Sequence, residues 1–242
     1  MELFEPKIEE LRRQLESART EPHTGSVFNG RSWPRSLNKQ MVLEQDMGAE
    51  LGKAGLQSFS VHLWTESLEL VRDGLISVYG QDIPLIAASG GAKSVSFGKI
   101  ALLGVDSIPS EEVYPSFERL DAIRFTQNLE GYMLRGFTQR NREWSRISRV
   151  ACAKGFDFAV LGRELIRDYM ALPLVRRAEM FFLTDDALIR TLSPIMEACN
   201  SITRALNTMF ENINMDCKKC NSASICDEID GLRRLHHELG LV

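Results

Sequence analysis

The chain has 242 residues, 44% of them hydrophobic and 26% charged, so it can bury the core of one large domain or two small ones. Its formal net charge of −4 excludes an overall positive field that would recruit nucleic acid or an anionic membrane. No apolar run approaches the roughly 20 residues of a membrane helix, and charges from the second residue onward exclude a secretory signal. We therefore expect a cytoplasmic protein with neither nucleic acid nor a membrane as partner.

The amino-terminal half predicts one helix followed by several strands. Apolar residues at helical spacing predict a helix over residues 7–18, and the polar stretch 20–39, with its Gly and Pro residues, predicts an extended arm or a linker. The sequence around residues 86–93 is typical of a turn. Alternating, β-forming residues predict strands at 56–65, 74–79 and 93–105.

The carboxy-terminal half is richer in helices. Residues 127–136 fit either a strand or a helix, and a short helix is predicted from Ser145 to a glycine cap at Gly155. A buried strand is expected at 177–183, between a helix at 158–172 and a long helix that begins after Thr184 or Asp185 and runs to about Phe210. Because strands and helices do not alternate strictly, the predicted fold class is α+β: a mixed sheet flanked by helices, with a metal-binding helical tail.

Three segments follow from this pattern. Residues 1–39 form an amino-terminal helix and arm, residues 40–212 an α+β domain, and residues 213–242 a cysteine-rich tail.

The tail carries cysteines at the spacing Cys217-x2-Cys220-x5-Cys226. A C-x2-C pair directs two thiolates to one metal, and the lysines at 218 and 219 favour thiolate over thiol. Three thiolates and one further ligand fit either a [4Fe–4S] cluster or a structural zinc ion. The fourth ligand could be His236, His237, Cys199 or an open position, while free cysteines are the plainest alternative. Cys152 is expected to pack in the core.

Residues 130–189 contain an ordered set of short motifs. These are Glu130-Gly131-Tyr132-Met133, Gln139-Arg140, Trp144-x-Arg146-Ile147-Ser148, Lys154-Gly155, Gly162 with Glu164, and Thr184-Asp185. Together with Glu-Gln-Asp-Met at 44–47, the set resembles the middle region of acetyl-CoA synthase, the beta subunit of the carbon monoxide dehydrogenase/acetyl-CoA synthase complex. The resemblance covers roughly residues 40–226.

The resemblance implies a subunit or accessory of anaerobic one-carbon or acyl-CoA metabolism, with other protein subunits as partners. It implies that Cys217, Cys220 and Cys226 bind a [4Fe–4S] cluster, with His236 near the position of the fourth ligand. The family binds its distal nickel through Cys-Gly-Cys, which this sequence lacks, so we expect the dinuclear nickel site to be absent. We also expect a truncated, stand-alone relative without the family's amino-terminal domain.

Five arginines fall between residues 135 and 149. Guanidinium groups pair with phosphates, and an indole face can stack on adenine. By resemblance to the family's coenzyme A surface, Arg140, Trp144 and Arg146 are candidate coenzyme A ligands, with a solvated surface and a core Trp144 as the plainer alternative. Two further functions stay open: an enzyme that uses a cluster with one open iron on an acyl-CoA or carbonyl substrate, and a non-catalytic interaction module that binds zinc.

Overall fold

The computed structural model describes residues 3–26, 32–89, 94–109, 112–137 and 141–211. Within these ranges the helices are α1 (Glu5–Glu16), α2 (Ile83–Ala88), α3 (Val113–Ala122), α4 (Arg149–Ala153), α5 (Phe158–Met170) and α6 (Asp186–Glu211). The strands are β1 (His23–Ser26), β2 (Met47–Leu51), β3 (Ser58–Thr65), β4 (Leu75–Tyr79), β5 (Ser94–Val95), β6 (Phe97–Val105), β7 (Tyr132–Phe137), β8 (Glu143–Ser148) and β9 (Val175–Leu183). In the part of the chain that is described, none of the helices combines the length and apolarity needed to span a bilayer.

The strands form two mixed sheets. The first has five strands in the order β1-β4-β9-β6-β3, in which β4 and β9 run parallel, as do β6 and β3, while the other two pairs are antiparallel. The second has four strands in the order β5-β2-β8-β7, with β2 parallel to β5 and antiparallel to β8. Mixed sheets flanked by helices confirm the predicted α+β class.

Helices cover both faces of the five-stranded sheet. Successive side chains of β9 point to opposite faces, so the strand presents aromatic side chains on both of them. Phe182 packs against Phe158 of α5, with ring centroids 4.8 Å apart. Phe181 points the other way, where the guanidinium of Arg12 on α1 lies 5.5 Å from its ring centroid. Gly162 allows the close approach of α5, since a Cβ there would lie 3.0 Å from Ile76 Cγ2 and Phe182 Cε2.

The longest helix, α6, begins where the sequence predicts. The Asp185 carboxylate accepts hydrogen bonds from the backbone N–H groups of Ala187 (2.9 Å) and Leu188 (3.0 Å), which is an N-cap. The helix packs on β3, β6 and β9 and against α1. The helix at 158–172 and the strands at 56–65, 74–79 and 177–183 are likewise confirmed, with ends that move by a few residues. The strand predicted at 93–105 is divided into β5 and β6, which belong to different sheets.

Three local predictions are corrected. Residues 23–26 of the expected arm form β1, which pairs with β4 at the edge of the sheet. The expected turn at 86–93 begins inside α2, which starts because Asp82 accepts a hydrogen bond from Ile83 N at 2.6 Å. The helix expected from Ser145 starts only at Arg149, because residues 143–148 form β8.

Two further residues of the predicted arm, Trp33 and Arg35, contact the body of the protein. Trp33 Nε1 donates to the carbonyl of Glu130 (2.9 Å), and the Trp33 ring lies 5.0 Å from that of Phe156. Arg35 pairs with Glu164 and Asp168 of α5. The division at residue 39 stays a prediction, as does the helical tail, which lies outside the described residues.

Candidate functional site

A buried carboxylate organises the outer face of the four-stranded sheet. Glu50 of β2 lies directly opposite Arg146 of β8 and is 1% exposed. Its Oε1 accepts hydrogen bonds from Arg146 Nε at 2.6 Å and from Trp144 Nε1 at 3.0 Å. Ser94 Oγ donates to the second oxygen at 2.8 Å. Two motifs that are far apart in the sequence, 44–52 and 143–148, therefore meet at one carboxylate.

The charge on Glu50 is maintained by these donors. Burial by itself would raise the pKa of the Glu50 carboxyl, but the hydrogen bonds from Arg146, Ser94 and Trp144 outweigh it, so its pKa lies below the ordinary value. The Arg146 guanidinium is 4% exposed and balances the carboxylate. The pair fixes the orientation of the Trp144 indole.

Trp144 is half-buried, and an arginine already stacks on it. The guanidinium carbon of Arg135 lies 4.4 Å from the indole centroid, and that of Arg146 lies 5.8 Å from it. The register of β7 against β8 shifts between Leu134 and Gly136, so Arg135 is the extra residue of a β-bulge that places its side chain over the indole.

The predicted coenzyme A ligands thus have unequal positions. Trp144 is accessible in part, whereas Arg146 is buried and engaged with Glu50. Arg140 lies outside the described residues. Arg135 is exposed on β7, its guanidinium stacks on the indole, and sequence analysis did not select it as a ligand. The coenzyme A site stays a prediction, and a phosphate would reach the exposed Arg135 more readily than the buried Arg146.

A second buried network lies on the opposite face of β8, and sequence analysis missed it. Lys99 Nζ of β6 lies 2.5 Å from Glu143 Oε2, and the side chains are 4% and 1% exposed. The Tyr132 hydroxyl lies 3.1 Å from Glu143 Oε1 and 3.0 Å from Ser145 Oγ. Burial would raise the pKa of Glu143, but the positive charge of Lys99 outweighs it and holds that pKa below the ordinary value. The sequence feature that indicates this network is Lys99, a lysine within the otherwise apolar run of β6.

The candidate metal ligands Cys217, Cys220, Cys226 and His236 lie outside the described residues, beyond the end of α6. Within the described ranges, no group of three or more His, Cys, Asp or Glu side chains is arranged to hold a metal ion. Cys199 is 1% exposed, and burial raises the pKa of its thiol to about 12, which disfavours the thiolate that a metal needs. Cys152 is half-buried and packs beside Gly48, as expected of a core residue.

The structure thus defines an α+β protein of two mixed sheets whose candidate metal ligands all lie in its tail. Residues 35–189 match the family described as the CO dehydrogenase/acetyl-CoA synthase complex beta subunit. The match spans well over half of the sequence, and the chain belongs to this family. No curated protein matches the chain.

The matched range includes Glu50, Trp144 and Arg146 and ends at residue 189. We predicted that the resemblance extends to residue 226, and the family match shows it as far as residue 189. The cysteine segment follows outside the match.

Proposed function

We propose that this chain is an iron–sulfur-binding relative of the acetyl-CoA synthase beta subunit that acts as a subunit or accessory in anaerobic one-carbon or acyl-CoA metabolism. The single observation that carries the proposal is the triad Cys217-x2-Cys220-x5-Cys226 in a chain of this family. Three thiolates form a donor set that suits a cubane cluster, and the two neighbouring lysines offset its net negative charge. His236 is the proposed fourth ligand.

The described part of the chain supports this role in two ways. The triad follows shortly after α6, a helix of 26 residues that is capped at Asp185 and packed on the sheet. The described body offers no competing group of metal ligands, and its buried Cys199 thiol is poorly suited to be one. A bound [4Fe–4S] cluster would supply one-electron transfer or, with an open iron, a Lewis acid.

We further propose that the dinuclear nickel site is absent, because the sequence contains no Cys-Gly-Cys. Protein partners are proposed on the ground that the family is described as a subunit of a complex. Two alternatives remain distinct: an enzyme with a site-differentiated cluster acting on an acyl-CoA or carbonyl substrate, and an interaction module held by a structural zinc ion.

Coenzyme A is a second candidate ligand. A half-buried indole with a stacked arginine offers one aromatic face and an exposed positive charge. The proposal includes Trp144 as the stacking group and Arg140 and Arg146 as the predicted phosphate partners, with Arg135 added from the structure. Calorimetry with coenzyme A on Trp144→Ala and Arg135→Ala tests it, and binding unchanged in both variants would contradict it.

Metal analysis tests the main proposal. Protein purified without oxygen should be brown, with about four iron and four sulfide per chain and little nickel. One zinc per chain without sulfide would contradict the cluster and support the structural zinc ion instead. Stoichiometric nickel would overturn the proposed loss of the nickel site.

A further inference from the structure

A cleft of about 270 Å³ lies on the face of the five-stranded sheet that α1 packs against, beside the end of that helix. Its floor is formed by residues of β1, β4 and β9, and its rim by the last turn of α1 and the connection to β1. The volume is close to the lower end of the range of about 300–1,000 Å³ that small-molecule sites occupy. The cleft therefore suits a ligand of one small ring or a short chain.

Three hydroxyl groups lie next to one another on the floor of the cleft. Thr24 of β1 is directly opposite Ser77 of β4, and Tyr79 follows two residues along β4, so the three side chains share one face of the sheet. None of the three side chains has a hydrogen-bond partner within the described ranges. Ser77 and Tyr79 are 4% and 6% exposed, but their hydroxyl oxygens are not fully enclosed by protein, so the cleft gives access to them.

An almost fully buried hydroxyl without a protein partner requires a hydrogen bond from a ligand or from water. More than nine in ten buried polar groups of folded proteins have a partner, because leaving one unpaired costs its desolvation. Burial also raises the pKa of Tyr79, so its phenol is protonated at neutral pH and can donate as well as accept. Two such groups at adjacent positions of one strand therefore indicate a ligand that carries hydroxyl groups of its own.

The charges around the cleft give no excess positive field. Arg12 and Arg72 line it, but Arg12 already donates to both oxygens of the buried Glu179 carboxylate. The exposed Arg72 is balanced by Glu16 and Glu21, which also line the cleft. An anion therefore has no surplus cation to pair with, and a cation meets only exposed carboxylates, which salt screens.

We propose that this cleft binds a small uncharged polyol of the monosaccharide class. Hydroxyl groups of the ligand pair with those of Thr24, Ser77 and Tyr79, each of which can donate and accept. At the rim, Arg72 donates to the ligand and Glu16 accepts from it. The proposal is independent of the cluster and of coenzyme A, because it uses none of the residues assigned to them.

Ligand-observed NMR with the full chain tests the requirement for several hydroxyl groups. At least one of D-glucose, D-ribose and myo-inositol should bind with a dissociation constant in the millimolar range. Cyclohexanol, a ring with a single hydroxyl, should not bind. No binding of any of the three polyols at tens of millimolar, or binding of cyclohexanol as tight as that of the best polyol, would overturn the proposal.

Charged sugars test the requirement for a neutral ligand. D-Glucuronate and D-glucosamine keep the pyranose ring and add a negative or a positive charge. Neither should bind more tightly than the best neutral polyol, and the affinity for that polyol should not depend on salt. A charged sugar that binds about tenfold more tightly than every neutral polyol, with an affinity that falls as salt rises, would make the cleft an ion site instead.

Variants locate the site. Ser77→Ala and Tyr79→Phe each remove one hydroxyl and should weaken polyol binding by about fivefold, which corresponds to one hydrogen bond. The midpoint of urea unfolding should stay unchanged in both variants, because neither hydroxyl has a partner within the described chain. Tyr169→Phe is the matched control, because Tyr169 is also buried but lies outside the cleft.

Three outcomes with these variants overturn the assignment. The first is unchanged polyol affinity when both hydroxyls are removed together. The second is an equal loss of affinity in the Tyr169→Phe control. The third is a clearly lower unfolding midpoint in Ser77→Ala and Tyr79→Phe, which would mean that these hydroxyls stabilise the fold instead of serving a ligand.

Discussion

The ion pair between Lys99 and Glu143 joins the two sheets and allows a quantitative test of the fold. Lys99 belongs to the five-stranded sheet and Glu143 to the four-stranded one, and both side chains are almost fully buried. Lys99→Met keeps most of the aliphatic stem but leaves the carboxylate buried without its counter-charge. Removing one partner of a buried pair costs about 3–5 kcal/mol, a large part of the roughly 5–15 kcal/mol that stabilises a typical protein.

Urea unfolding at pH 7 measures this loss as a shift in the midpoint at constant slope. The double variant Lys99→Met/Glu143→Gln is the matched control, because it removes both charges and keeps an oxygen that Tyr132 and Ser145 can reach. It should be clearly more stable than Lys99→Met alone. A single-variant loss below about 1 kcal/mol would mean that the pair is solvated like a surface ion pair.

The pH dependence has a definite sign. In the native protein the pKa of Glu143 is lowered, so its contribution to stability is present above the ordinary carboxyl pKa and is lost as pH falls through the folded value. In Lys99→Met, burial acts without the lysine and raises that pKa above the unfolded value. The variant should therefore recover stability relative to the native protein as pH falls from 7 towards 5. Identical losses at both pH values would refute the reasoning.

Three further predictions use the same assays. His62 is buried against Phe117 and Asp121. Burial, followed by the charge of Arg124, holds the pKa of His62 well below the ordinary value. The stability of the native protein should therefore fall below about pH 6.5, and the stability of His62→Gln should fall less steeply. Glu50→Ala should cost about 3 kcal/mol or more and shift the fluorescence of the indole, because it leaves the Arg146 guanidinium buried without its partner; an unchanged unfolding midpoint would contradict this. Metal analysis should show loss of metal in each of Cys217→Ser, Cys220→Ser and Cys226→Ser but not in Cys152→Ser, and full metal content in Cys226→Ser would place the third ligand elsewhere.

The structure explains why β8 was the hardest element to predict. Its inward positions include Glu143 and Ser145, which are polar yet buried because Lys99 and Tyr132 satisfy them. The inward positions of β8 are therefore polar in the sequence, so its pattern does not predict a strand. The sequence consequently predicts the start of the short helix several residues too early. The same reason hid β2, where the buried Glu50 is neutralised by a partner about a hundred residues away in sequence.

Elements with a strong local pattern of apolar or β-forming residues were determined by the sequence itself. Local periodicity predicts α1 and α5, and runs of β-forming residues predict β3, β6 and β9. The cap at Asp185, the α+β class and the cysteine spacing could also be recognised from the sequence. Family membership could also be predicted, from the order of short motifs along the chain.

Only the tertiary structure decided how the polar residues are used. It buried Arg146 beside Glu50, stacked Arg135 on Trp144, and brought Thr24 and Ser77 to one cleft. These pairings join strands and helices that are distant in sequence, and the charge of a side chain does not reveal whether it faces water or a buried partner. Local periodicity therefore determines where an element forms, and long-range contacts determine which of its charged residues are buried beside a partner.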